Sequence, residues 1–465
     1  MAGTSGVVVD ATSVRAFAAA LSGVRGDLSD AERVEFLRAV EELKAAGAAA
    51  QAQVTVAFDV SQRAAQAAAG VHPRRRGQGV PEQVALARRI SPGQASRCVG
   101  VAKALIEMPH TFTALQSGVL TEWRATILVR ETACLTRAGR AMVDLELAGP
   151  GKLEELAAMG DQQLTNAAKS IAYRLEPRSV VERARRAEAD RRVTLRPAPD
   201  TMTHLSALLP VAHGVACLAA LTKTADSARA HGDPRSRGQV MADALVAAIT
   251  GRRRHSEQRG DEPVADPRSS EPRAPGVALS LVMTDRALLG GDDEPAHLIG
   301  YGPVPAAWAR DFLRDRAGQV WLRRLFTHPA SGDLLDADKK ARLFPRRLRE
   351  TLIARDQTCR TPWCDAPIRH ADHISGYANG AHTTLEQGQG LCERCNHAKQ
   401  APGWTAATST PPGQRHTVTT TTPTGHDYRS QAPPLPGTAM TPPPLIDLRW
   451  LTQAVDVDIP RSDAA

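Results

Sequence analysis

From about residue 10 to 190 apolar positions recur at helical spacing, which predicts a succession of helices. Ser29-Asp30-Ala31-Glu32 reads as a capping box, with Ser29 as N-cap and Glu32 reaching back to its amide. Phe36, Val40 and Leu43 follow at helical intervals and lead into alanine-rich turns. A loop from Gly70 to Pro81 carries Arg74-Arg75-Arg76, and helices are then predicted over Pro81–Ile90, Pro92–Ile106 and Leu120–Glu131, the last capped by Thr121. This rhythm of short helices and turns suits a packed bundle, and it also suits a DNA-reading helix-turn-helix. Residues 181–192 are dense in arginine, a pattern shared by solvated helix faces and phosphate tracks.

The periodicity then changes. Arg192–Arg196 predicts a short strand, and Leu205–Thr222 and Gln239–Gly251 predict helices. Residues 252–276 are polar and proline-rich, the composition of a disordered linker or insertion. Val277–Met283 reads as an apolar strand, Leu298–Pro305 as a Gly/Pro turn and Ala306–Arg314 as a helix. Lys339–Arg355 holds seven basic residues against the single acid Glu350, with Leu343, Leu348 and Leu352 on one side, and predicts an amphipathic basic helix. Its cations, among them Arg346, Arg347, Arg349 and Arg355, suit phosphate neutralisation, although a solvated charged face has the same pattern. In the Pro/Thr-rich tail, Thr417–Thr421 and His426–Ser430 predict a hairpin, and residues 431–444 extended or disordered chain. The expected organisation is a helical domain (10–251), the linker (252–276), an α+β continuation (277–338), a module with its basic lead-in helix (339–404) and the tail (405–465).

A chain of 465 residues exceeds one ordinary core, which implies two or three domains. A net charge of +8 favours a polyanionic partner without requiring one. The amino terminus lacks the basic start and apolar stretch of a signal peptide, and the most apolar run, Leu205 to Leu221, is too short to span a bilayer. A cytoplasmic protein with no membrane association is therefore expected. Three of the seven cysteines, Cys98, Cys134 and Cys217, lie scattered in helical patterns and are expected to be small buried apolar side chains.

The other four cluster. Cys359 and Cys364 form one close pair, Cys392 and Cys395 another, and Asp372-His373 lies between them. Paired thiolates on two knuckles supply the tetrahedral set that structural zinc needs, whereas two unrelated pairs would not crowd into so short a span. Arg369–Ile374 reads as a strand with His370 and Asp372 on one face and His373 on the other. A turn at Asn379-Gly380 would return the chain, and a helix from about Leu391 would carry Cys392, Cys395, Asn396 and Lys399. The expected module is strand, turn, strand, helix with a metal staple.

This segment resembles the HNH nucleases, with their ββα-metal fold. The whole chain is similar to the actinobacterial HNH proteins that carry a long helical domain of unknown function (domain of unknown function 222) upstream. The phrases GDPRSRGQVMADAL (232–245), EPAHLIGYGPVP (294–305), THPASGDLLD (327–336), RDQTCRTPWCDAP (355–367) and GLCERCNHAKQAPGW (390–404) carry the resemblance. It implies a DNA endonuclease with His373 as general base, Asp372 and Asn396 as ligands of one catalytic divalent ion (Mg²⁺ or Mn²⁺), and structural zinc on the four cysteines. Lys399 joins the arginines as a candidate nucleic-acid contact. The family's middle motif residue is Asn, holding the loop that orients the base; this chain has Gln387, one methylene longer. The resemblance therefore leaves two outcomes, cleavage or zinc-stabilised DNA binding without it. His370 is either a further ligand or an exposed structural histidine, and His382 is incidental.

Overall fold

The computed structural model describes residues 9–24, 27–250, 279–315, 344–375, 382–411 and 414–437. Residues 252–276, 327–336, Lys339–Leu343 and the Asn379-Gly380 turn, about which the sequence makes predictions, lie outside them. Among the described residues the chain forms two compact units, one from residues up to Ala65 and from Arg97 to Val181, the other from Gln66 to Ser96 and from Glu182 onward.

The first unit is helical. A short α1 (Ala11–Ala20) precedes α2 (Asp30–Ala68), which starts at the predicted capping box: Ser29 N–H donates to Glu32 Oε2 at 2.7 Å and Glu32 N–H to Ser29 Oγ at 3.3 Å. The buried stripe of α2 is made of Ala45, Ala49 and Ala52, while Phe36, Leu37 and Leu43 remain exposed, so the bulky apolar row predicted for its first turns does not face the core. Alanines permit close helix approach, and they pack with Leu105, Met108, Leu115, Leu120, Ile127, Leu128, Leu156 and Leu164. Those side chains come from the C-terminal part of α4 (Pro92–Ile106) and from α5 (Pro109–Gln116), α6 (Glu122–Thr132), α7 (Arg137–Ala148), α8 (Leu153–Ala158) and α9 (Asp161–Leu175). Thr121 caps α6 as predicted, accepting from Arg124 N–H at 3.3 Å. Asp144 is buried because it serves two exposed-start amides of α5, Thr111 N–H at 2.7 Å and His110 N–H at 2.9 Å.

In the second unit α3 (Val80–Arg88) follows the Gly70–Pro81 loop. Beyond α10 (Pro177–Ala189), β1 (Arg192–Ala198) pairs antiparallel with β2 (Met202–Leu208). The helix predicted from Leu205 starts only at Val211 as α11 (Val211–Ala230): Thr203, Leu205 and Ala207 alternate in a strand, and Pro210 sets the helix start. α12 (Arg237–Thr250) packs against α11, and the phrase from 232 to 245 has a structural use there: Arg235 bonds Asp233 and Asp243, the latter at 2.6 Å. The predicted strand at Val277–Met283 is represented by β3 (Leu281–Val282), with 277–278 outside the described residues. After the short α13 (Asp285–Leu289) the predicted Gly/Pro turn proves to be a hairpin of β4 (Ala296–Leu298) and β5 (Gly302–Val304), with β3 alongside. α14 (Ala306–Arg314) matches its predicted bounds. Cys98 and Cys134 are only partly buried and Cys217 is exposed, contrary to the expectation of three buried thiols.

The module region begins with α15 (Arg346–Asp356), shorter than the predicted basic helix because Pro345 cannot continue one and stands at its N-cap. Then come β6 (His370–His373), β7 (Gly388–Leu391), α16 (Glu393–Lys399) and a sheet of β8 (Thr405–Thr408), β9 (Thr417–Thr421) and β10 (Asp427–Gln431) in the order β10-β9-β8. The predicted tail hairpin is the β9–β10 pair. Among the described residues no helix is long and apolar enough to cross a membrane.

Candidate functional site

The four clustered cysteines converge. Their sulfur atoms all lie within 4.8 Å of one another, with Cys364 Sγ 3.7 Å from Cys392 Sγ and 3.6 Å from Cys395 Sγ. A tetrahedron with metal–sulfur bonds of about 2.3 Å has sulfur–sulfur edges of about 3.8 Å, so this spacing accepts one zinc ion. Local backbone builds the two knuckles. Gln357 ends α15 with φ 61°, and Trp363 and Asp365 also turn left-handed, curling the chain so that Cys359 N–H bonds Ala366 O at 2.9 Å. Cys392 is the N-cap of α16 and its sulfur accepts from Cys395 N–H at 3.4 Å. All four are buried, and with Leu391 they form a small core of their own. Crowding splits their proton affinities: Cys392, accepting from Cys359 and the other sulfurs, sits well below the usual thiol range, whereas Cys395 is pushed well above it. A dication at the centre allows all four to ionise. The sulfur donor set suits structural zinc.

The staple holds a strand pair. In the β6–β7 ladder Asp372 faces Gln389 and His373 faces Gly388. Two glycines of β7 are needed because neighbours come so close: a Cβ at Gly388 would stand 2.6 Å from the Phe344 ring, and one at Gly390 2.5 Å from Ile368 Cδ1. His373 is 6% exposed, beneath the Phe344 ring at 4.8 Å, and its Nε2 is 2.9 Å from Thr383 Oγ1. Burial lowers its pKa from the ordinary imidazole value; Asp372 opposes that shift and the Lys399 ammonium adds to it. Asp372 is half-buried and forms an ion pair with Lys399, whose ammonium also bonds His373 O. Asn396 lies one turn before Lys399 on the same helical face, and its Oδ1 is buried with no hydrogen-bond partner among the described residues. Gln387 adjoins the histidine through backbone: its carbonyl accepts from Ile374 N–H at 2.9 Å, and its N–H donates to Thr384 Oγ1 at 3.1 Å. His370 is partly buried and His382 exposed.

Two candidate phosphate contacts need correction. Arg355 is 3% exposed, its guanidinium held by Asp356 at 2.7 Å, Leu385 O at 2.6 Å and Gly388 O at 2.8 Å, so it is an interior tie and meets no phosphate. Lys399 is engaged by Asp372 and His373 O and is not an outward-facing cation. Arg346, Arg347 and Arg349 do lie on the exposed side of α15.

Sequence reading missed the layer beneath the site. Asp356 accepts from Gly390 N–H at 2.7 Å as well as from Arg355, and Arg360 reaches the β9–β10 sheet through Ser430 O at 2.6 Å and His416 O at 3.1 Å. His416, 2.8 Å from Glu386 O, is lowered to about 4 by burial first and then by Arg355. Arg360 stood inside the quoted cysteine motif, but its partners are some 60 residues away in sequence and left no local signal. Because the unfolded chain binds the His416 proton more readily than the folded one, stability is full above about pH 6.5 and falls as pH drops toward 4. We expect the loss to be on the order of 3 kcal/mol from this one group. Urea titrations of wild type and His416→Gln across that range check it; equal slopes would contradict the assignment.

A two-strand-and-helix module built around a four-cysteine cluster that could hold a metal ion, following a mainly helical region, is the class of protein these features define. The chain belongs to the family described as domain of unknown function (DUF222), whose model matches residues 37–356. The cysteine module follows the matched span. No curated protein matches the chain, and no solved structure does.

Proposed function

We propose that the module is a metal-dependent DNA endonuclease that hydrolyses phosphodiester bonds. The observation that carries this reading is the meeting of β6 and α16: the Asp372 carboxylate and the His373 backbone carbonyl both bind Lys399 of α16, one turn after Asn396, while the His373 ring packs against Phe344 and Thr383. The Asp372 carboxylate and the Asn396 amide oxygen, which is buried with no hydrogen-bond partner among the described residues, are hard oxygen donors of the kind that suit Mg²⁺ or Mn²⁺ rather than zinc. The ammonium already at Asp372 indicates that the position takes a cation, and an entering ion would displace it. When bound, such an ion supplies positive charge to the phosphate and to the departing 3′ oxygen.

His373 is the general base. Its lowered pKa keeps the imidazole neutral at pH 7, ready to accept a proton. In the tautomer whose Nε2–H donates to Thr383 Oγ1, the basic lone pair is on Nδ1. Nδ1 takes a proton from water as the water oxygen bonds phosphorus; the bond to the 3′ oxygen breaks and that oxygen takes a proton from solvent. Phe344 and Thr383 fix the ring, and the Gln387 backbone fixes the strand end beside it.

Two observations favour a second reading. Lys399 neutralises Asp372, and Gln387 replaces the Asn that the resemblance expects, which together describe a zinc-stabilised DNA-binding module that does not cut. Nicking of supercoiled plasmid with Mg²⁺ or Mn²⁺ separates the two. We expect cleavage by wild type and a loss of about 10²–10⁴ in His373→Ala, with DNA retention and zinc content unchanged. DNA retention without nicking under any divalent ion would select the second reading.

A further inference from the structure

We infer that the loop from His72 to Gly79 is a second wall of the nucleic-acid interface, on which Arg74 and Arg75 take backbone phosphates of duplex DNA. The inference rests on the DNA-binding reading above and adds residues far from the module in sequence.

The loop is a built platform. His72 starts a single helical turn over Pro73–Arg75, its ring accepting from Arg74 N–H at 3.3 Å. Arg76 turns inward to bond Val71 O at 3.0 Å, and Gln66 clamps the far end by accepting from Gly77 N–H at 2.5 Å and donating to Gln78 O at 3.0 Å. Gly79, with φ 84°, lies so near Trp404 that a Cβ there would stand 2.6 Å from the indole nitrogen. Gln78 then donates to His397 O in α16 at 2.8 Å and accepts from Arg75 Nε at 3.3 Å. Arg75 is thus two hydrogen bonds from the helix whose Lys399 holds Asp372. Arg394 of the same helix bonds Glu82 at 2.7 Å, which fixes α3 as well.

Charge decides the occupant. Some exposed arginines elsewhere, such as Arg33, Arg38 and Arg314, pair with a neighbouring carboxylate, while others, such as Arg137 and Arg185, show no such pair among the described residues. Among the described residues no carboxylate pairs with Arg74, Arg75, Arg347, Arg349 or Arg369, and all five are exposed. They are linked in space. Arg349 donates to Arg369 O at 3.0 Å, and Arg369 lines a cleft of about 660 Å³ whose other wall is Gln78 and Gly79. Cations thus stand on α15, on the cleft wall and on the loop; the cleft itself also carries Glu393 and Glu82, the latter paired with Arg394. A run of arginines is ordinarily a solvated face; here Arg76 bonds inward to Val71 O and Arg75 bonds Gln78, which ties the loop to the helix that carries Asn396 and Lys399. Guanidinium groups on a loop so tied match the regular phosphates of a duplex better than a flexible acidic peptide.

The test uses the full chain and a fluorescent 25-base-pair duplex, with affinity measured by anisotropy from 50 to 200 mM KCl. Removing two phosphate contacts in Arg74→Ala/Arg75→Ala should lower the slope of log affinity against log salt by about 1.8 and weaken binding at least about tenfold at 50 mM. Arg33→Ala/Arg38→Ala should behave as wild type, and unchanged zinc content and melting in each variant exclude misfolding. If wild type binds and Arg346→Ala/Arg347→Ala weakens it while Arg74→Ala/Arg75→Ala matches wild type, the loop assignment is overturned alone. If wild type shows no salt-sensitive binding, both the loop and the DNA reading fall.

Discussion

Cys392→Ser is expected to empty the metal site and unfold the module while the first unit stays folded. Cys392 serves the module three ways: its sulfur packs against Cys364, it caps α16, and its carbonyl accepts from Asn396 N–H at 3.0 Å. The surrounding apolar core is small, consisting of Leu391 and the sulfurs themselves with Ala366 at the edge. A structural zinc contributes roughly 10–16 kcal/mol of apparent binding energy in such settings, and a serine hydroxyl is a poor replacement for a thiolate. Zinc per chain should fall from one to near zero. Hydrogen exchange should then accelerate across β6, β7 and α16, with the leucine core of α5, α6 and α9 still protected. Retained protection in the module would show that its fold does not depend on metal.

The second large effect is expected at Asp356, which has no reactive role. Its carboxylate is fully buried between Arg355, at 2.7 and 3.0 Å, and Gly390 N–H, with Arg360 at 3.8 Å. Asp356→Ala leaves two buried guanidinium groups without their counter-charge, which costs about 3–5 kcal/mol. Asp311→Ala removes an exposed pair with Arg314 in the same unit and should cost no more than about 1 kcal/mol. Urea unfolding monitored in the second unit measures both. A difference below about 1 kcal/mol between the two variants would mean that the buried cluster is a passenger.

Features with a local cause were legible in the sequence. The Ser29 box, the Thr121 cap, the bounds of α4 and α14 and the β9–β10 hairpin all follow from side chains acting within a few residues of themselves. The cysteine pairs were legible for the same reason, since each knuckle closes on its own turn. What failed depended on distance. Arg355 sits in a row of arginines and reads as one more surface cation; only the returning carbonyls of Leu385 and Gly388 make it an interior residue. The Phe36 and Leu43 row was overridden by alanines that allow closer packing farther along α2. Pro345 was a local signal passed over, and it cut the predicted basic helix short. The attachment of Gln66–Ser96 to α16, through Gln78 and Glu82, spans more than 300 residues of sequence and had no local sign.

The Cys392 prediction and the stapled arrangement of β6, β7 and α16 depend on sulfur ligation of one metal ion. X-ray absorption at the zinc edge of the purified full chain tests that ligation directly. One zinc per chain with four sulfur neighbours at about 2.3 Å is the predicted spectrum. A first shell of nitrogen and oxygen, or zinc well below one equivalent with the four thiols titrating freely, would contradict it.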